Sequence, residues 1–157
     1  VYGGQFRVVQ PDVVLADIRA QVAAGAEHIT FGDPDFLNGP RHALAIVRAL
    51  HAEHPALTYD ATIKVEHLLR HAELLPELRA TGCLFVTSAV EAVDDAILAR
   101  LDKRHTRADF ARAAGLLRAC RRFRGGVGGS HPGACVIRGL NATAHTTACG
   151  LPALPGT

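Results

Sequence analysis

The sequence predicts an α/β fold with parallel strands. Three short apolar runs, His28–Phe31, Leu57–Ile63 and Cys83–Val86, suit buried strands and are separated by segments of helical spacing. The order reads α-β-α-β-α-β-α-α, and alternation of this kind joins parallel strands through right-handed crossovers. Polar residues follow each run at once: Gly32-Asp33-Pro34-Asp35, then Lys64, then Thr87-Ser88 with Glu91 nearby. Sheets of parallel strands place their chemistry at that carboxyl edge.

Each element has a local cause. Pro11 and Asp12 open a helix whose apolar face is Val13, Val14, Ala16, Ile18, Val22 and Ala23, and Gly25 suits its C′ position. His28–Phe31 ends in a turn with two carboxylates. Asn38-Gly39-Pro40 starts the next helix, with Pro40 at N1 and Leu44, Val47, Ala49 and Leu50 on one face, stopping before Pro55. After the second strand a helical region runs from about Val65 to Ala80, where Pro76 breaks or kinks it. A helix over 93–101 follows the third strand, with Val93, Ile97, Leu98 and Leu101 on its apolar side and Asp94-Asp95 as helix-start charges. The last helix spans 107–120, with Thr106 as N-cap and Asp109 at N3 in a partial capping box. Three strands are too few for a complete α/β domain and leave at least one raw sheet edge.

The chain of 157 residues has room for one domain with a real core. Hydrophobic content of 48% and a mean hydropathy of +0.14 argue against disorder. With no Trp, no Met and 5% aromatics, the core is built from Ala, Leu, Val and Ile. The net charge of +2 hides an asymmetry: residues 121–157 carry four Arg and no acid, and the remainder has 13 basic and 15 acidic residues. There is no strong nucleic-acid signal, because the body is slightly acidic and the tail lacks interleaved aromatics. No apolar stretch approaches the roughly 18–20 residues of a membrane span, and no secretory signal appears. Cys83, Cys120, Cys135 and Cys149 are widely spaced without a C-x-x-C pair, so no local metal site is encoded and a reducing cytoplasm is expected.

Two boundaries stand out. The chain begins Val1-Tyr2-Gly3-Gly4 without Met, as expected for a piece whose start lies upstream, although a processed chain would look the same. After Arg121 eight of the fifteen Gly occur, with no useful helical or strand period. This irregular tail, 121–157, is either flexible or the product of a change of reading frame near Cys120. Gly125-Gly126 and Gly128-Gly129 lack the Lys-Ser/Thr and the strand-to-helix setting of a phosphate loop.

Residues 1–120 resemble a partial core of the radical S-adenosylmethionine (SAM) enzymes, in the branch that includes methylthiotransferases and cobalamin-binding members. The carriers are Ser88-Ala89-Val90-Glu91-Ala92, then Ile97 through Leu101 leading to Lys103-Arg104-His105-Thr106. These are similar to the G-x-E-S-like turn and the Leu-x-x-x-x-K-G-H-T-like stretch after the family's fourth barrel strand. Ser88 and Ala92 replace the usual Gly and Ser, and Arg104 replaces the usual Gly. Gly25 through Phe36 resembles the second barrel strand and its exit turn, and Thr62-Ile63-Lys64-Val65-Glu66 the end of the third. The family's C-x3-C-x2-C cluster motif is absent, and by the resemblance it would lie just before Val1.

The resemblance implies a partial (β/α)6 TIM-like barrel of parallel strands with outer helices. It implies a parent enzyme that cleaves SAM at a [4Fe-4S] cluster to a 5′-deoxyadenosyl radical, with a flavodoxin-like or ferredoxin-like electron donor and an unknown substrate. This segment would supply SAM-positioning residues and would be inactive alone. Asp33 and Asp35, with Gly32, would accept from the SAM ammonium, as acceptor-only carboxylates suit; they equally suit an Asp-Pro turn and a helix start. Lys64 would pair with a carboxylate, or be a solvated strand end. Glu91, with Ser88, would accept from ribose hydroxyls, or Glu91 would be a surface or first-turn charge. His67 and His71 are read as a helix-surface pair, and His105 as support for the turn between two helices. The alternative function is a small non-catalytic α/β ligand-binding or interaction module.

Overall fold

The computed structural model describes residues 8–120. The start of the chain, the Gly-rich tail over 121–157 on which the two readings of flexibility and a changed frame fall, and Cys135 and Cys149 lie outside the described residues. The elements run α1 Pro11–Ala23, β1 His28–Phe31, α2 Pro40–Glu53, β2 Thr58–Thr62, α3 Val65–Arg70, α4 Leu75–Ala80, β3 Cys83–Thr87, α5 Asp95–Arg100 and α6 Arg107–Cys120. Short 3-10 turns at Phe36–Asn38 and Ala72–Leu74 precede α2 and α4.

The strands form a three-stranded parallel sheet in the order β1-β2-β3. His28 lies opposite Thr58, Phe31 opposite Ala61, and Thr62 opposite Thr87. A bulge sits between Tyr59 and Asp60: Tyr59 faces Cys83 and Asp60 faces Phe85, so Leu84 is the extra residue. The described sheet is open, with β1 and β3 at its edges. The α/β class with parallel strands is therefore present; closure toward a barrel is not part of what residues 8–120 form.

Alternation divides the sheet into two unlike faces. Ile29, Tyr59, Ala61 and Val86 point into the core with Leu44, Val47 and Leu50 of α2, Leu68 of α3 and Leu78 of α4. Tyr59, Leu50, Val47 and Leu68 are fully buried, each such side chain contributing about 1.5–3 kcal/mol of burial. Phe31 meets the Tyr59 ring edge-on at 5.5 Å and Phe36 at 4.8 Å. The opposite face carries His28, Thr30, Thr58, Asp60, Thr62, Phe85 and Thr87.

Several local readings are corrected. Pro76 neither breaks nor kinks a helix; it sits in the first turn of α4, where its missing N–H has no partner to lose. The helical region instead divides at the Ala72–Leu74 turn. α5 is shorter than 93–101 because the Asp94 side chain caps it, accepting from Ala96 N at 2.8 Å and Ile97 N at 3.1 Å. Its expected apolar face is split. Leu98 is buried, whereas Val93, Ile97 and Leu101 are 57%, 47% and 51% exposed. Periodicity marks an apolar stripe, but the preceding loop, bent at Glu91 with φ 66, decides which side turns inward.

Other local readings match. Gly25 has φ 98 just past α1. Thr106 and Asp109 complete a reciprocal box: Asp109 N donates to Thr106 Oγ1 at 3.1 Å, and Thr106 N donates to Asp109 Oδ2 at 3.0 Å. His105 Nε2 lies 3.3 Å from Val90 O and ties the α5–α6 turn to the loop after β3.

Candidate functional site

The carboxyl edge of the sheet gathers the loops after β1, β2 and β3. Gly32 and Asp33 lead out of β1 and line a cavity of about 360 Å³ with Phe31, Phe36, His42 and Ile46. Asp33 Oδ1 accepts from Asp35 N at 2.8 Å, an Asx turn that leaves its second oxygen without a described partner.

Asp35 turns the other way, into the protein. Its side chain is 5% exposed. Oδ1 accepts from the Lys64 backbone N–H at 3.2 Å, and Oδ2 lies 3.4 Å from Lys64 Nζ. One carboxylate thus clamps the exit of β1 to the exit of β2. Lys64 keeps 65% of its side chain exposed and lines a second, larger cleft of about 650 Å³.

Ser88 is fully buried just past β3, and its Oγ has no hydrogen-bond partner among the described residues. Glu91 has φ 66 and pairs with Lys103 at 3.1 Å. It lies in the loop ahead of α5, so it is not a first-turn charge. Lys103, Arg104 and His105 line the larger cleft together with Lys64. The candidate residues therefore share one edge but not one cavity. Gly32 and Asp33 face the smaller space, Lys64 the larger, and Asp35 stands between them.

His67 corrects the surface-pair reading. It is buried, at 8% exposure, and its ring forms part of the larger cleft. Nδ1 lies 2.8 Å from Asp35 Oδ2, although neither buried atom has an aligned hydrogen-bond partner among the described residues. Arg70 Nη1 lies 3.3 Å from Nε2. The helical i, i+4 spacing made His67 and His71 look equivalent, but α3 packs on α6 and the Phe36–Asn38 turn, which turns His67 inward.

A second network also escaped the sequence reading. On the opposite sheet face His28 Nε2 lies 2.9 Å from Asp60 Oδ1, which Thr30 Oγ1 also reaches at 2.7 Å. His28 Nδ1 lies 2.8 Å from Thr58 Oγ1, whose hydroxyl donates to Glu27 O at 3.2 Å. Both ring nitrogens therefore face side-chain oxygens of β2. The signal was available: His28-x-Thr30 and Thr58-x-Asp60-x-Thr62 place polar groups at period two.

The described residues do not fit an iron–sulfur cluster. No group of three His, Cys, Asp or Glu among them is arranged to hold a metal ion. Cys83 is buried in β3 and Cys120 closes α6. No helix among them is long and apolar enough to cross a membrane.

No protein-family profile matches the sequence, and no curated protein does. Solved structures do match. A cobalamin-dependent S-adenosylmethionine radical enzyme, OxsB with aqua-cobalamin bound, aligns with TM-score 0.63 and 18% identity over 73% of this chain and 19% of its own. The radical S-adenosylmethionine methyltransferase TsrM from Kitasatospora setae, with cobalamin and [4Fe-4S] cluster bound, aligns with TM-score 0.53 and 19% identity over 69% and 21%. The chain thus spans about a fifth of the length of these structures. They do not single out the methylthiotransferases; what they show is that this chain shares the fold of a segment of cobalamin-dependent radical SAM enzymes.

Proposed function

We propose that the chain is a segment of a radical SAM enzyme and that its carboxyl edge holds S-adenosylmethionine. The observation that supports this most is the shared fold together with four polar loop residues, Asp33, Lys64, Ser88 and Glu91, converging on one sheet edge. The chemistry of each suits a part of the ligand. The second oxygen of Asp33, which has no partner among the described residues and stands beside the open backbone of Gly32, accepts from the ammonium. Lys64, steadied by Asp35, pairs with the methionine carboxylate. Glu91, with Ser88 beside it, takes the ribose hydroxyls; Ser88 Oγ is buried and has no hydrogen-bond partner among the described residues. When bound, SAM supplies the adenosyl group from which such enzymes make a radical; this chain's residues bind and orient it. With no cluster ligands among the described residues, this segment is expected not to cleave SAM alone.

That the three strands are part of a partial (β/α)6 TIM-like barrel belongs to the proposal. The polar face with His28, Thr30 and Asp60 would then line its interior. A second reading, a non-catalytic ligand-binding module, is favoured by the Lys64–Asp35 and Lys103–Glu91 pairs, which neutralise the charges a ligand would use. Calorimetric titration of the 157-residue chain with SAM separates the two. Saturable binding weakened about tenfold or more by Asp33→Asn and by Lys64→Ala supports SAM positioning, since one lost charged contact is worth about 1.4 kcal/mol or more. Absence of binding, or binding indifferent to both substitutions, refutes it.

A further inference from the structure

The sheet face opposite the core carries a carboxylate that the SAM reading leaves unused. Asp60 stands on the central strand with its side chain 8% exposed. Its Oδ1 accepts from Thr30 Oγ1 at 2.7 Å and lies 2.9 Å from His28 Nε2. Oδ2 has no partner among the described residues and is not sealed from solvent. The Lys and Arg ion pairs among the described residues all go to other acids. A carboxylate held this deep is stabilised by opposite charge and by donors, and one of its two oxygens receives neither.

The bulge sets an aromatic ring beside that oxygen's residue. In unbroken register Asp60 would face Leu84; the extra residue brings Phe85 opposite it instead. Phe85 is half-buried and takes no part in the hydrophobic core. Its ring stacks with that of His28, centroids 6.0 Å apart and planes inclined by 16°. An aromatic ring next to a carboxylate attracts a cation through its quadrupole as well as through the charge. Thr30 and Thr58, on the same face, add hydroxyls that can bond to hydroxyls of a ligand. None of His28, Thr30, Asp60 and Phe85 lines either of the two cavities at the carboxyl edge.

We propose that this face binds a small molecule bearing a primary ammonium and neighbouring hydroxyls, with the ammonium donating to Asp60 Oδ2 beside Phe85. A metal ion suits the face less well, because no three His, Cys, Asp or Glu among the described residues are arranged to hold one. A quaternary amine has no N–H to give Oδ2, and a neutral polyol leaves the buried charge uncompensated. The inference stands on these contacts and not on SAM or on closure of a barrel.

The probes are serinol and glycerol, which differ only in an ammonium against a hydroxyl at the central carbon, with choline as the quaternary control. Binding to the 157-residue chain is followed near neutral pH by NMR of the threonine methyls and phenylalanine rings. The expected result is saturable binding of serinol, about tenfold or more tighter than glycerol or choline, with shifts at Thr30, Thr58 and Phe85. Asp60→Asn should remove that preference, Phe85→Leu should weaken serinol about threefold, and Asp33→Asn should leave it unchanged. Circular dichroism establishes that each variant folds. If Asp60→Asn does not, the ranking of the three probes, the location of the shifts and Phe85→Leu decide. Absence of saturable serinol binding overturns the proposal. So does glycerol or choline as tight as serinol, a preference that survives Asp60→Asn, or shifts confined to other residues. Displacement of serinol by SAM, with SAM binding lost in Asp60→Asn, also overturns it and gives the face to SAM. Absence of SAM binding alone refutes only the SAM reading, so the two fail separately.

Discussion

Gly25 and Gly82 offer a controlled comparison of backbone strain with and without a clash. Both have positive φ, 98 and 106. A Cβ at Gly25 meets nothing within 4 Å, whereas a Cβ at Gly82 lies 2.7 Å from Leu57 O and 3.7 Å from Thr58 Cα. The conformational cost of an alanine in this region is common to both sites, about 1–3 kcal/mol. Gly82→Ala adds an overpacking cost of about 1–3 kcal/mol, because the obstacle is backbone rather than a movable side chain. That backbone is tied on both sides. Thr58 N donates to Glu27 O at 3.3 Å and Tyr59 N to Gly82 O at 3.1 Å, so any retreat of Leu57 disturbs the start of β2. Gly82→Ala is thus expected to lose about 2–6 kcal/mol, a large part of the roughly 5–15 kcal/mol typical of a domain. Urea unfolding followed by far-ultraviolet circular dichroism measures both variants. Equal losses for Gly25→Ala and Gly82→Ala would refute the steric argument and leave only the shared φ cost.

Further outcomes follow from named contacts. Tyr59→Phe removes a buried hydroxyl that donates to Leu78 O at 3.1 Å, and should cost about 1–2 kcal/mol in the same assay. Burial first, and then nearby Cys83, raise the Tyr59 phenol above its ordinary range near 10. The folded form keeps its proton where the unfolded form loses it, so stability should fall as pH rises above about 10, and Tyr59→Phe should remove that component of the slope. Leu98→Ala should lose about 2–4 kcal/mol through the cavity it leaves, whereas Ile97→Lys on the exposed side of α5 should change stability by less than about 0.5 kcal/mol. Reversal of that order would mean that α5 packs by the other face. Asp94→Ala should cost about 1 kcal/mol and speed amide exchange at Ala96 and Ile97, whose N–H groups it caps.

The sequence by itself determined the elements. Apolar runs of strand length, helical spacing and cap chemistry such as Thr106 with Asp109 are local signals, because hydrogen bonding within a turn and side-chain period act over a few residues. It also placed Asp33, Lys64, Ser88 and Glu91 after strands, since chain direction alone fixes which end of a parallel strand is the carboxyl edge. The tertiary structure decided the partners and the faces. The burial of His67 against Asp35 joins helix α3 to the loop after β1, 32 positions apart, and no local pattern encodes a contact set by packing α3 on α6. The same holds for α5, where spacing showed a stripe but the turn at Glu91 chose Leu98 as its inward side. The bulge at Tyr59/Asp60 and the separation of Asp33 and Lys64 into two cavities arise likewise from long-range pairing, whose geometry depends on both strands at once.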